Sequence, residues 1–240
     1  MPVVPAEVSG RVREIYARGQ ELGLNSKAFS KIGDCEATPT WFLGDFDQGV
    51  QYYSLGGYSN LDGVIANFQG SFGRQGLATY RGFTAASALT TLWADPKQCQ
   101  KGETPIDCEV RLNKPAFALV MLGTNDVNYE DTFEANLRQI LDTLIDHGVV
   151  PVLATKADNL EGDHAINAAI ARVAYEYQLP VWNFWAAVQP LPDHGLQEDN
   201  SHLTWASNHF DDPLRMQAAW PWRNLTALQV LDVVWRGVTE

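Results

Sequence analysis

Apolar runs of strand length recur along this chain, separated by stretches of helical spacing, and this alternation restricts the possible fold more than any other feature. Ala116–Leu122 reads AFALVML, Val149–Ala154 reads VVPVLA, and Leu179–Phe184 reads LPVWNF. A shorter strand is expected over Ala28–Ile32, closed by Gly33. Runs that are apolar without alternation belong to strands buried on both faces. Between them, Thr132–His147 sets Phe133, Leu137, Ile140, Leu141 and Leu144 on one helical stripe. Asp163–Tyr177 does the same with Ile166, Ile170, Val173 and Ala174. Residues 5–23 predict an N-terminal helix through Val8, Val12, Ile15, Tyr16 and Leu22, and Met216–Val238 predicts a C-terminal one. Strands alternating with helices indicate an α/β chain whose central parallel sheet is covered on each side. The segment Gly44–Gly82, rich in Gly, Tyr, Asn and Gln, is expected to form loops, with room for a hairpin. No repeat, low-complexity tract or linker interrupts the chain, so residues 1–240 are read as one domain.

Charge narrows the partners. The formal net charge of -12, with no cluster of Lys and Arg, argues against nucleic acid and against anionic membranes. No apolar run approaches the ~20 residues needed to span a bilayer. The opening MPVVPAEVSG lacks the charged and then hydrophobic order of a secretion signal. Cys99 and Cys108 flank a short polar loop, CQKGETPIDC, and a local disulfide between them is expected. That bond would imply an oxidising compartment, hence a secreted or cell-envelope protein whose signal is not in this sequence. Two free loop thiols are the alternative. Eight tryptophans fit a protein that handles sugars or other flat-faced ligands, and core packing accounts for them equally well.

Three expected strand exits carry polar chemistry: Gly33-Asp34-Cys35, Gly123-Thr124-Asn125-Asp126, and the late loop Asp199-Asn200-Ser201-His202. In an open parallel sheet, ligands bind where such exits converge. Nucleophilic acyl transfer needs a nucleophile, a base, a group that fixes the base's tautomer, and donors for the oxyanion. Cys35 can be the nucleophile, and a position where a strand ends and a helix begins would favour its thiolate. His202 is the candidate base and Asp199 its orienting acid. The amides of Cys35 and Gly82 and the carboxamide of Asn125 are candidate oxyanion donors. Asp34 and Asp126 are read as braces of the strand ends. Trp41, Phe42, Trp205 and Phe210 are candidates for stacking on substrate, and His194 and His209 could also line the pocket. Asp158 with Asp163 and His164, or His209 with Asp211 and Asp212, shows no recognised metal-ligand spacing.

The order GDC, RGFT, GTND, DNSH resembles the SGNH hydrolases, also called the GDSL family, over nearly the whole chain. By that resemblance Cys35 stands at the family's serine position, Gly82 at its glycine, Asn125 at its asparagine and His202 at its histidine, with Asp199 completing Asp-x-x-His. The resemblance implies a flavodoxin-like three-layer α/β/α sandwich around a central parallel sheet. It also implies hydrolysis of a small-molecule or carbohydrate acyl ester with no cofactor and no metal.

Cysteine in place of serine is the departure. Sulfur is larger than oxygen, so an oxyanion hole arranged for an alkoxide can be misregistered, whereas a thiol paired with His can ionise near neutral pH. Four readings of Cys35 stay open at this stage: a nucleophile, a small buried thiol, part of a pocket that binds without catalysis, and a replacement for a natural serine. A thioester also reacts with amines and thiols, which leaves a thiol-dependent acyltransferase beside the hydrolase. Oligomeric state and the acyl and alcohol parts of a substrate are not legible here.

Overall fold

The computed structural model of the protein describes residues 1–240. Four parallel strands, β1 (Asn25–Gly33), β2 (Pro115–Met121), β3 (Val150–Ala154) and β4 (Val181–Trp182), lie side by side in that order. Every residue of β2 and β3 is buried, as the unbroken apolar runs require. Five longer helices cover the sheet: α1 (Gly10–Glu21), α2 (Pro105–Asn113), α3 (Glu130–Asp146), α4 (Ala165–Tyr177) and α5 (Ala219–Thr239). Helices α1 and α5 pack together on one face, and α2, α3 and α4 on the other. The result is the expected α/β/α sandwich.

The core follows from the strand pleat, which sends side chains three residues apart to opposite faces. Phe117 of β2 stacks on Tyr16 of α1, with ring centroids 5.6 Å apart, and meets the edge of Phe68, which in turn meets Trp235 of α5. On the other face Val120 and Leu153 meet Phe133 and Leu137 of α3 and Ile170 of α4. Each such buried side chain contributes roughly 1.5–3 kcal/mol relative to exposure. Helix starts are set by local chemistry: Ser9 Oγ accepts the Val12 N–H at 3.2 Å, and Thr104 and Asp107 form a reciprocal capping box ahead of Pro105.

Three local expectations are corrected. In LPVWNF only Val181–Trp182 is strand, because Asn183 turns its Oδ1 onto the Ala186 N–H and caps a short helix, Phe184–Val188. Gly44–Gly82 holds no hairpin; it folds into short helices such as Asp45–Gln48 and Asp62–Asn67 joined by turns. His164 precedes α4 instead of lying within it. It takes φ +60°, with its N–H held by Asn159 Oδ1 at 2.9 Å. Cys99 and Cys108 are bonded, tying the loop to α2 with Cα atoms 5.2 Å apart.

The sheet also places the site. On the side of β1 away from β2, Ala78–Tyr80 runs parallel to its end. Gly33 N–H donates to Ala78 O at 3.1 Å, and Tyr80 N–H donates to Gly33 O at 3.3 Å. The chain therefore leaves β1 in one direction and returns at β2 on the other side. The C-terminal end of β1 is the switch point at which a parallel sheet opens a crevice.

Candidate active site

Asp34, the first residue beyond β1, is buried and turns the chain. Its Oδ1 accepts the Glu36 N–H at 3.0 Å and caps a three-residue 3₁₀ turn, Cys35–Ala37. Its Oδ2 accepts a hydrogen bond from Asn125 Nδ2 at 3.0 Å, and the same nitrogen donates to Phe83 O at 3.3 Å. Asn125 thus stitches together the β1 exit, the β2 exit and the RGFT turn through Asp34 and Phe83, the chain neighbours of Cys35 and Gly82. Both N–H bonds of the carboxamide are used in this way. Donation to a ligand would exchange the longer one, to Phe83. The Gly82 amide has no partner within the chain, and φ +75° alone explains glycine at this turn, since an added Cβ would meet nothing within 4 Å. Asp126 braces the next element, its Oδ1 accepting the Ala85 N–H at 2.9 Å, and burial pushes its carboxyl up to about 6.

The thiol of Cys35 is free and half-buried. The expectation that its position favours the thiolate is overturned. Burial raises its pKa, and the neighbouring carboxylates of Asp34 and Glu36 raise it further. The helix that was to stabilise the anion is a single 3₁₀ turn, too short for a macrodipole. Within the turn, the amides of Cys35 and Glu36 oppose the rise without reversing it.

His202 comes from a loop built by Asp199. One carboxylate oxygen accepts the N–H groups of Ser201 and His202 at 3.0 and 2.9 Å, and the other meets His202 Nδ1 at 2.6 Å. These bonds hold the Asp199 carboxyl at about 2, and the same hydrogen bond raises the pKa of His202. With the Nδ1 proton on the carboxylate side, the Nε2 lone pair is left for a ligand. Gln197 fixes the loop from below, its N–H donating to His202 O and its Nε2 to Leu203 O, both at 2.8 Å.

Glu36, which sequence reasoning passed over, ties the two halves. Its Oε1 accepts the Leu203 N–H at 3.2 Å and its Oε2 faces Arg223 Nη1 at 3.4 Å. Burial pushes its carboxyl up to about 7, although Arg223 pulls the other way. Arg223, from α5, is itself buried between the rings of Phe42, Trp182, Phe184 and Trp220, 5.1–5.7 Å from their centroids. No sequence pattern marks this pairing.

Above these groups lies a cleft of about 730 Å³ whose wall includes Cys35, Glu36, Trp41, Arg81, His202 and Trp205. Trp41 and Trp205 are exposed there, in keeping with the expected stacking role. Phe42 and Phe210 are core residues and do not reach it. His194 and His209 lie outside the cleft wall, and the His194 ring meets Gln189 O at 3.1 Å. Of the carboxylates considered for a metal, Asp158 is taken up by buried Lys156 at 2.5 Å and by Thr124 Oγ1 at 2.7 Å, and Asp163 accepts the Ala165 N–H. Cys99, Glu103 and Cys108 sit together, but the two sulfurs are bonded to each other.

No protein-family model and no curated protein sequence matches the chain. Among solved structures it is similar to a catalytic mutant of an acetylxylan esterase from Geobacillus stearothermophilus, with TM-score 0.54 and 16% identity over 89% of this chain and 96% of that one. It is similar to a carbohydrate esterase family 3 protein from Talaromyces cellulolyticus, with TM-score 0.53 and 15% identity over 85% and 98% of the two chains. A GDSL-like lipase from Bacteroides thetaiotaomicron gives TM-score 0.51 and 15% identity over 92% and 97%. At such identities the likeness establishes the fold, and the chemistry has to be argued from the residues.

Proposed function

We propose that this protein is an ester hydrolase of the SGNH type in which Cys35 is the nucleophile, His202 the base and Asp199 its orienting acid. One observation carries the reading. The wall of a single cleft contains both a free thiol at a strand exit and an imidazole whose far nitrogen is held by a carboxylate at 2.6 Å. The names of the similar structures, an acetylxylan esterase, a carbohydrate esterase and a GDSL-like lipase, support the same chemical class.

In this mechanism the raised thiol pKa makes Cys35 a protonated nucleophile, so deprotonation accompanies attack. His202 Nε2 takes the Sγ proton as the S–C bond to the ester carbonyl forms. The amides of Cys35 and Gly82, with Asn125 Nδ2, receive the oxyanion. Collapse breaks the C–O bond, and the imidazolium gives its proton to the departing alkoxide. Water, deprotonated by His202, then hydrolyses the thioester, releasing the acid and returning a proton to Sγ. The Cys99–Cys108 bond supports an exported protein.

The test is turnover of an aryl acetate before and after alkylation by iodoacetamide, with the modified residue located by mass spectrometry. Loss of turnover in step with modification at Cys35 is expected. Full activity of the alkylated protein would remove Cys35 from the reaction. The raised thiol also favours a second reading, a ligand-binding protein that uses the same cleft without chemistry. Binding that survives Cys35→Ala, with no turnover by either protein, would select it.

A further inference from the structure

Charge on the cleft wall is arranged against the charge of the whole chain. With a net charge of -12, most arginines here hold a carboxylate, as Arg74, Arg111 and Arg138 do. Arg81 is exposed on the cleft wall and holds none. The one carboxylate on that wall, Glu36, is committed to Arg223 and to the Leu203 amide. The other ionisable groups there are Cys35, a protonated thiol, and His202, which Asp199 and Glu36 bias toward its cation. The cleft of an acidic protein therefore presents an unpaired guanidinium on the same wall as two exposed indoles, Trp41 and Trp205. Trp41 is backed by Trp220, with ring centroids 6.2 Å apart. A guanidinium presents a planar fork of donors matched to a carboxylate, and indole faces accept flat rings.

We infer that the cleft selects esters that carry a carboxylate, with Arg81 as the specificity-determining residue and the two tryptophans holding the ring or chain between the carboxylate and the scissile bond. Arg81 immediately precedes Gly82, whose amide is a proposed oxyanion donor. An anionic group bound by the guanidinium therefore lies within a side chain's length of the reacting carbonyl. This inference rests on the esterase reading for its substrate and on the cleft alone for its anion.

Paired esters that differ only in charge test it. On the alcohol side the pair is 4-carboxyphenyl acetate and 4-carbamoylphenyl acetate; on the acyl side it is mono-4-nitrophenyl adipate and its methyl ester. In at least one pair, kcat/KM for the carboxylate should exceed that for the neutral partner by roughly 10-fold, as expected for a charge-assisted contact at a partly solvated site. The pair that shows the preference identifies which half of the substrate carries the anion. The ratio should fall toward one in Arg81→Gln and shrink as salt is raised. Because the readout is a ratio within each protein, a general loss of activity does not imitate it. A wild-type ratio of one or less in both pairs, or a ratio unchanged in Arg81→Gln, overturns the inference. If neither protein turns over any ester, the esterase reading fails, and quenching of tryptophan fluorescence by 4-hydroxybenzoate decides the anion site. Tighter binding by the wild type than by Arg81→Gln sustains it, and equal or absent binding overturns it.

Discussion

Glu36 accepts the backbone N–H of Leu203 at 3.2 Å, so the residue after the candidate nucleophile holds the residue after the candidate base. Its negative charge is also one of the causes that raise the pKa of His202. Glu36→Gln keeps an acceptor for Leu203 and removes the charge. The acid limb of kcat/KM for an aryl acetate is therefore expected to move to lower pH in the variant, and a pH–rate profile checks it. An unmoved limb would show that Glu36 does not act on the base. Stability gives a second readout. The Glu36 carboxyl is raised from 4.5 to about 7, so its contribution is complete below the lower value and is lost as pH rises through the higher one. Urea midpoints compared at about pH 5 and about pH 8 should therefore differ less in Glu36→Gln than in the wild type.

Asp199→Asn separates charge from geometry in the loop that presents His202. The amide oxygen can still accept the Ser201 and His202 N–H groups, but the carboxylate that raises His202 is gone. His202 should titrate lower, and turnover should fall by roughly 100-fold through loss of the oriented base. Because the pair is about half exposed, the unfolding midpoint should scarcely move. Imidazole titration by NMR, together with steady-state kinetics, separates the two effects.

Gly123 is the hinge between β2 and Asn125. At φ +129° an added Cβ would lie 2.7 Å from Ile166 Cγ2. Gly123→Ala should cost on the order of 1–3 kcal/mol and displace the GTND turn, lowering turnover more than it lowers the melting temperature. Gly82→Ala is the contrast: a Cβ there meets nothing within 4 Å, so only the left-handed backbone penalty of roughly 1–2 kcal/mol remains. Thermal melts of the two variants compare these costs.

Reduction of Cys99–Cys108 opens a loop with sequence separation 9. Loop-closure entropy for so short a ring amounts to about 2.5 kcal/mol. The melting temperature should fall by roughly 5–10 °C on reduction, measured by calorimetry with and without dithiothreitol.

The strands and helices of the sheet were readable because burial on both faces leaves an unbroken apolar run, and burial on one side leaves a stripe. Where that signal ended, the reading failed. LPVWNF is as apolar through Phe184 as through Trp182, and only the side chain of Asn183 decides that a helix starts there. The residues of the candidate site were legible as motifs at strand exits. Their environment was not, because burial is the largest cause that raises the thiol's pKa, and a three-residue turn gives no dipole to offset it or the carboxylates of Asp34 and Glu36 that flank the thiol in the sequence. Glu36 and Arg81 carry no sequence mark, since their meaning lies in what faces them.

The guanidinium enclosed by four aromatic rings has a consequence for assembly. Arg223 stands 187 positions beyond the carboxylate it meets, near the start of the last helix. The support beneath the thiol and the imidazole is therefore built from opposite ends of the polypeptide. Contacts this distant in sequence form late, after their loop-closure entropy has been overcome. A nascent chain still lacking α5 would carry every motif named above and have no finished crevice, so any reactivity should switch on only when the final helix docks.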